Sequence, residues 1–104
     1  MKDWSKHALL VVDIQNDFIN ATPEPAIFRK NVEELLRLSR EQGIHIIHVH
    51  ACFEPDKSDW MPFALLRGSI PCVRGTQGSN TPQWAAATGS ETVIQKRTFD
   101  AFLN

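Results

Sequence analysis

The stretch His-Ala-Leu-Leu-Val-Val-Asp at positions 7–13 decides the fold class of this chain. Its central residues are apolar without alternation, which is typical of a strand buried on both faces of a parallel sheet. Two further stretches, 44–50 and 91–96, are predicted as the second and third strands. A strand, a helix and a second strand make one right-handed parallel unit, so the sequence predicts an α/β fold around a parallel sheet.

A helix is predicted between the first two strands, over residues 24–42. Thr22–Pro23 is a suitable start, and Asn31 with Glu34 is an alternative capping box. Gly43 is suited to the left-handed residue that ends a helix. Helical spacing predicts that one apolar face is buried against the sheet: Phe28, Val32, Leu35 and Leu36.

The composition restricts the function classes. A length of 104 residues fits one domain, and eleven basic against twelve acidic side chains give a net charge of -1. A nucleic-acid-binding protein would show a basic excess, so no nucleic-acid partner is expected. No apolar run is long enough for a bilayer span or a signal peptide, so no membrane partner and a cytoplasmic location are expected. Cys52 and Cys72 are predicted to be free thiols.

Two charged residues of opposite sign end predicted strands. Asp13 follows the first strand, and Lys96 ends the third. Ligands of open α/β sheets bind at the carboxyl edge of the strands, and a carboxylate and an ammonium group at the same edge can form an ion pair. The alternative is that Asp13 caps a turn and Lys96 is a solvated strand end.

Three further stretches of the sequence, 11–18, 71–78 and 93–102, form one set of motifs. Residues 11–18, Val-Val-Asp-Ile-Gln-Asn-Asp-Phe, resemble the DxQxDF opening of the isochorismatase-like cysteine hydrolase superfamily. Residues 93–102, Val-Ile-Gln-Lys-Arg-Thr-Phe-Asp-Ala-Phe, are similar to its strand with the catalytic lysine, and residues 71–78 to its Gly-Thr loop. The order and approximate spacing agree across essentially the whole chain.

The resemblance implies a Rossmann-like, three-layer α/β/α fold and a triad of Asp, Lys and Cys acting on a small amide, ureido or related C–N substrate. Asp13 would accept the thiol proton, and Lys96 would stabilise the thiolate. Gln15, Phe18 and Trp60 are expected to contribute to a substrate pocket. In family members the nucleophilic cysteine follows a further strand, so residues 1–104 are expected to be one domain that is truncated after the lysine strand.

Whether this form is an enzyme stays open at this point, because the alternative is an inactive remnant that serves as a binding or assembly module. Three strands and one long helix would leave an exposed sheet edge through which the chain could form a homo-oligomer. No cofactor and no metal are expected. His48 and His50 share one strand face and His45 lies on the other, and residues 51–56 lack the Asp-x-His pattern of nicotinamidase-type relatives.

Overall fold

The computed structural model describes residues 3–102 and contains a three-stranded parallel sheet. The strands are β1 (Ala8–Val12), β2 (His45–Ala51) and β3 (Thr92–Lys96), in the order β1-β2-β3. This arrangement confirms the predicted α/β fold class and the parallel pairing. Each predicted strand end lies within one residue of the corresponding end in the structure.

The crossover from β1 to β2 contains a short helix, α1 (Asn16–Ile19), and a long helix, α2 (Pro25–Glu41). Helix α2 begins at Pro25, so the expected start at Thr22–Pro23 is wrong. The Thr22 hydroxyl instead donates to the Ile19 carbonyl at 2.7 Å, which closes the turn after α1. Proline still occupies the first turn, where its missing N–H costs no hydrogen bond. Gly43 has a φ of 69° and ends the helix as predicted.

Helix α2 contacts the sheet along a narrow stripe. Leu36 and Ser39 are buried, and Val32 is partly buried against the same cluster. Leu35 is 51% exposed, so its predicted place on the buried face is wrong. Leu35 is rotated by about 100° around the helix axis from Leu36, which turns it away from the stripe of Val32, Leu36 and Ser39.

The segment between β2 and β3 is mostly structured loop, as predicted. It contains helix α3 (Pro62–Arg67) and two 3-10 turns, Gln77–Ser79 and Gln83–Ala85. The short helix expected over 58–66 begins later because Met61 keeps extended backbone angles and Pro62 takes the first helical position. Helix α3 and the loop that follows it enclose a small apolar cluster at the carboxyl edge of the sheet.

The two faces of the sheet differ in cover. Val11, Ile46 and His48 are buried on the face that contacts α2. On the other face, Leu10 is 59% and Val12 is 45% exposed. The radius of gyration is 15.1 Å, compared with about 13 Å for a compact domain of this length. The described residues therefore form a sheet with one covered face and one face that is open at Leu10 and Val12, although Val49 and Ala51 of the central strand are buried there.

Among residues 3–102, no helix combines the length and apolar character needed to cross a membrane.

Candidate active site

Asp13 and Lys96 meet at the carboxyl edge of the sheet. The Lys96 Nζ donates to Asp13 Oδ2 at 3.3 Å, with the lysine side chain 9% and the aspartate side chain 30% exposed. The structure therefore excludes the alternative that Lys96 is a solvated strand end. Asp13 follows the outer strand β1 and Lys96 ends the outer strand β3, so the pair spans the central strand β2. Ala51 of β2 is in register with Lys96, and its methyl group leaves room for the contact.

The backbone at Asp13 turns the chain out of the sheet. Its N–H still donates to the Val49 carbonyl at 2.9 Å, but its φ is 61°, in the left-handed region that non-glycine residues rarely adopt. Strained backbone of this kind is common where a structure fixes a functional side chain. Within residues 3–102, the buried Oδ1 atom of Asp13 has no hydrogen-bond partner. One carboxylate oxygen is thus bound to Lys96, and the other accepts no hydrogen bond from the described residues.

Gln15 continues the hydrogen bonding of β1 after the chain has left the sheet. Its side chain is 1% exposed, and its Nε2 donates to the carbonyls of Ala51 at 2.7 Å and Ser79 at 2.9 Å. Its Oε1 accepts the N–H of Ala51 at 2.8 Å. The side-chain amide therefore takes the place that the next peptide group of β1 would have. It is not among the residues that line the cavity at Asp13.

Asp17 fixes the Gly-Thr loop, a role that the sequence analysis did not identify. Its Oδ2 accepts the N–H of Cys72 at 2.8 Å, and its carboxylate lies where a side chain at Gly78 would begin. A side chain at position 78 would therefore have to displace that carboxylate. The sequence signals for this contact are Asp17, the second acidic residue in 11–18, and Gly78 in 71–78.

A cavity of about 250 Å³ opens beside the Asp13–Lys96 pair. Phe18 lines it, together with Thr98 and Arg67. Trp60 does not, because its indole N–H donates to the Glu54 carbonyl at 2.8 Å and its ring packs against the nearby apolar cluster. The rest of the wall is apolar and is formed by Ala51, Phe53, Met61, Phe63, Ile70, Pro71 and Phe99.

Both cysteines are free and buried, and neither lines this cavity. Burial, with a smaller contribution from the Asp17 carboxylate, raises the pKa of the Cys72 thiol to about 12. A thiol with that pKa is almost entirely protonated at neutral pH and is a poor nucleophile. Cys52 borders a different surface depression, together with Arg74 and Gln95.

The histidines of β2 are used in packing and hydrogen bonding. His48 Nε2 lies 2.8 Å from Glu91 Oε1, and His50 Nε2 lies 3.1 Å from the Thr81 hydroxyl. Burial lowers the pKa of His50. His45 is on the opposite, open face. In the part of the chain that the structure describes, no three His, Cys, Asp or Glu side chains are grouped as metal ligands.

Several solved structures resemble this chain. An isochorismatase family protein from Desulfovibrio vulgaris is 29% identical, with a TM-score of 0.74 over 92% of this chain and 55% of its own. N-carbamoylsarcosine amidase from Thermoplasma acidophilum is 25% identical, with a TM-score of 0.73 over 92% and 54%. Pyrazinamidase of Pyrococcus horikoshii, solved in complex with zinc, is 26% identical, with a TM-score of 0.66 over 86% and 50%. This chain therefore spans about half the length of these proteins.

A comparison with curated proteins finds no match. A sequence model of the isochorismatase domain, in contrast, matches residues 7–104, which is nearly the whole chain. The match includes β1 with Asp13 and β3 with Lys96, the two strands that bring the charged pair together. The chain therefore belongs to the isochorismatase domain family.

Proposed function

We propose that this chain supplies the acid–base half of a hydrolase that cleaves a C–N bond in a small amide or ureido compound. The observation that carries the proposal is the 3.3 Å contact between Lys96 Nζ and Asp13 Oδ2 beside a cavity of about 250 Å³. A cavity of this size admits a small molecule. The resemblance to N-carbamoylsarcosine amidase and pyrazinamidase favours amide and ureido substrates.

The chemistry assigned to the pair follows from its two charges. The Asp13 carboxylate, which lines the cavity, accepts the proton of a cysteine thiol. The Lys96 ammonium group stabilises the thiolate, which attacks the substrate's carbonyl carbon. The C–N bond breaks, and the nitrogen leaves with the proton that Asp13 accepted. Water then hydrolyses the thioester, which releases the acid and returns the thiol.

The nucleophilic thiol is proposed to come from sequence outside these 104 residues. Cys72 is fully buried and has a pKa of about 12, and Cys52 borders another depression. Neither thiol lines the cavity that contains Asp13 and Lys96. The proposal therefore assigns catalytic roles to Asp13 and Lys96 and none to Cys52 or Cys72.

The test uses the full-length gene product that contains these residues. Ammonia release from pyrazinamide and N-carbamoylsarcosine is measured for the wild type, Asp13→Asn and Lys96→Met. Asp13→Asn is expected to lower kcat/KM by about a thousandfold, and Lys96→Met by about a hundredfold, as is usual for acid–base and electrostatic groups. The exposed residues Lys30 and Asp56 provide matched charge-loss controls, Lys30→Met and Asp56→Asn, with unchanged rates.

Two results would contradict the proposal. One is an Asp13→Asn enzyme that keeps wild-type activity while its circular dichroism shows a folded protein. The other is hydrolysis by the 104-residue chain alone that is lost in Cys52→Ser or Cys72→Ser, because the nucleophile would then lie within the chain.

A second candidate function, a non-catalytic assembly module, is supported by the open face of the sheet. Leu10, Val12 and Ile94 line a groove of about 320 Å³ there, together with the exposed rings of Phe99 and Phe102. We propose that two copies of the chain associate through this face, because uncovered apolar sheet surface favours pairing with another chain. Sedimentation velocity should show dimers that Leu10→Lys dissociates, whereas Leu66→Lys on the exposed side of α3 leaves them intact. A monomeric wild type would exclude this candidate.

A further inference from the structure

Arg67 is an unneutralised cation at the cavity beside Asp13 and Lys96. It is the last residue of α3 and lines the cavity. Its Nε and Nη2 each donate to the Ser69 carbonyl at 3.2 Å, and its Cζ lies 5.4 Å from the centroid of the Phe63 ring. Arg67 is an exposed residue, and these contacts leave its Nη1 donors without a partner in residues 3–102.

Four of the other five arginines are paired with a carboxylate, and the fifth, Arg97, borders the separate depression at Cys52. Arg29, Arg37, Arg40 and Arg74 each form an ion pair with a glutamate at 2.6–2.9 Å. Within residues 3–102, no carboxylate lies within 4.0 Å of Arg67, although Asp13 lines the same cavity. The Asp13 carboxylate contacts Lys96 instead, so that the charges of these two residues offset each other. The cavity therefore has one positive charge in excess.

We infer that Arg67 binds the carboxylate of the substrate and makes the enzyme selective for small monoanions. This inference rests on the proposed function and specifies its substrate class, a C–N substrate that also bears a carboxylate. A guanidinium group with free donors forms charge-assisted hydrogen bonds to a carboxylate, and the ring contact with Phe63 orients it beforehand. The phenyl rings of Phe18, Phe53 and Phe99 contact the apolar part of the ligand.

Benzoate and its neutral isostere benzamide are suitable probes, because they differ in the charged group and share a flat apolar ring. Their dissociation constants for the 104-residue chain are measured by NMR titration at low salt. We expect benzoate to bind at least about tenfold more tightly than benzamide, as is typical of a charge-assisted hydrogen bond. This preference should fall as salt is added.

The variant that tests the residue is Arg67→Met, which keeps an apolar stem of similar length. It should reduce the benzoate preference to less than about twofold and leave benzamide binding unchanged. Arg97→Met is the matched control. Arg97 also lacks an ion pair among the described residues, but it borders the depression at Cys52 and not this cavity. It should keep the wild-type preference.

The inference is overturned if the wild type binds the two probes equally well, or if Arg67→Met keeps the preference. If Arg67→Met fails to fold, the wild-type affinity ratio and its salt dependence still decide whether the cavity prefers a carboxylate. Asp13→Asn separates this inference from the proposed function, because it tests hydrolysis while the benzoate titration tests only binding. If the cavity prefers benzoate but the full-length protein hydrolyses neither test substrate, the Arg67 inference stands and the proposed hydrolase function is rejected.

Discussion

Gln15 provides the most direct test of how residues 11–18 hold the site together. Replacing it by leucine keeps a side chain of similar size but removes three hydrogen bonds, two to Ala51 and one to Ser79. Each hydrogen bond contributes about 0.5–1.5 kcal/mol net, and a buried N–H that loses its partner costs about 1–3 kcal/mol. Gln15→Leu should therefore lower the free energy of unfolding by about 3–5 kcal/mol.

That loss is large compared with the total stability of about 5–15 kcal/mol that is typical of a domain. The assay is urea unfolding followed by circular dichroism, combined with hydrogen exchange at the amide of Ala51, whose only described acceptor is Gln15 Oε1. Exchange at this amide should accelerate more than at Val49 in the middle of β2. Gln42→Leu, at an exposed position just after α2, should change the stability by less than about 0.5 kcal/mol.

The reasoning is refuted if Gln15→Leu unfolds within 1 kcal/mol of the wild type, by the scale of one hydrogen bond, and the protection of the Ala51 amide is unchanged. The hydrogen bonds seen at Gln15 would then be replaceable by water.

Three further predictions concern the surroundings of the site. Gly78→Ala should destabilise the protein by about 1–3 kcal/mol in thermal unfolding, because its methyl group displaces Asp17 from the Cys72 N–H. Glu91, whose pKa is held at about 2 chiefly by its hydrogen bond from Arg40, stabilises the fold above pH 4.5, and this stabilisation is lost as the pH falls towards 2. Glu91→Gln should therefore cost about 2 kcal/mol at pH 7 and almost nothing at pH 2, whereas Glu33→Gln in an exposed pair shows little change at either pH. In Cys52→Ser, the remaining thiol of Cys72 should react with a disulfide reagent at pH 8 far more slowly in the folded protein than in urea, and equal rates would contradict its burial and raised pKa.

The local pattern of the sequence determined the element types and their order. The apolar run at 7–13, the helical spacing in 24–42 and the strand at 91–96 depend on neighbouring residues and their periods, and the structure confirms all three. A parallel sheet aligns the carboxyl ends of its strands on one edge. The placement of Asp13 and Lys96 on that edge was therefore predictable as well.

The helix start and its buried face were less predictable. Proline at 23 and at 25 gives two suitable first positions, and only the turn closed by Thr22 selects the second. Leu35 fits the apolar spacing as well as Leu36 does, but the way α2 packs on the sheet decides which of them is covered. The start of α2 and its buried face therefore depend on contacts with the turn before the helix and with the sheet.

The division of roles among residues 11–18 was decided by the tertiary structure alone. Asp13 and Phe18 face the cavity, whereas Gln15 bonds to residues 36 and 64 positions away and Asp17 to one 55 positions away. The unpaired charge of Arg67 likewise depends on which carboxylates lie near α3. A sequence pattern reports the polarity and spacing of neighbouring residues, whereas a hydrogen bond requires two groups to meet within about 3 Å, and only the packed chain brings such distant groups together.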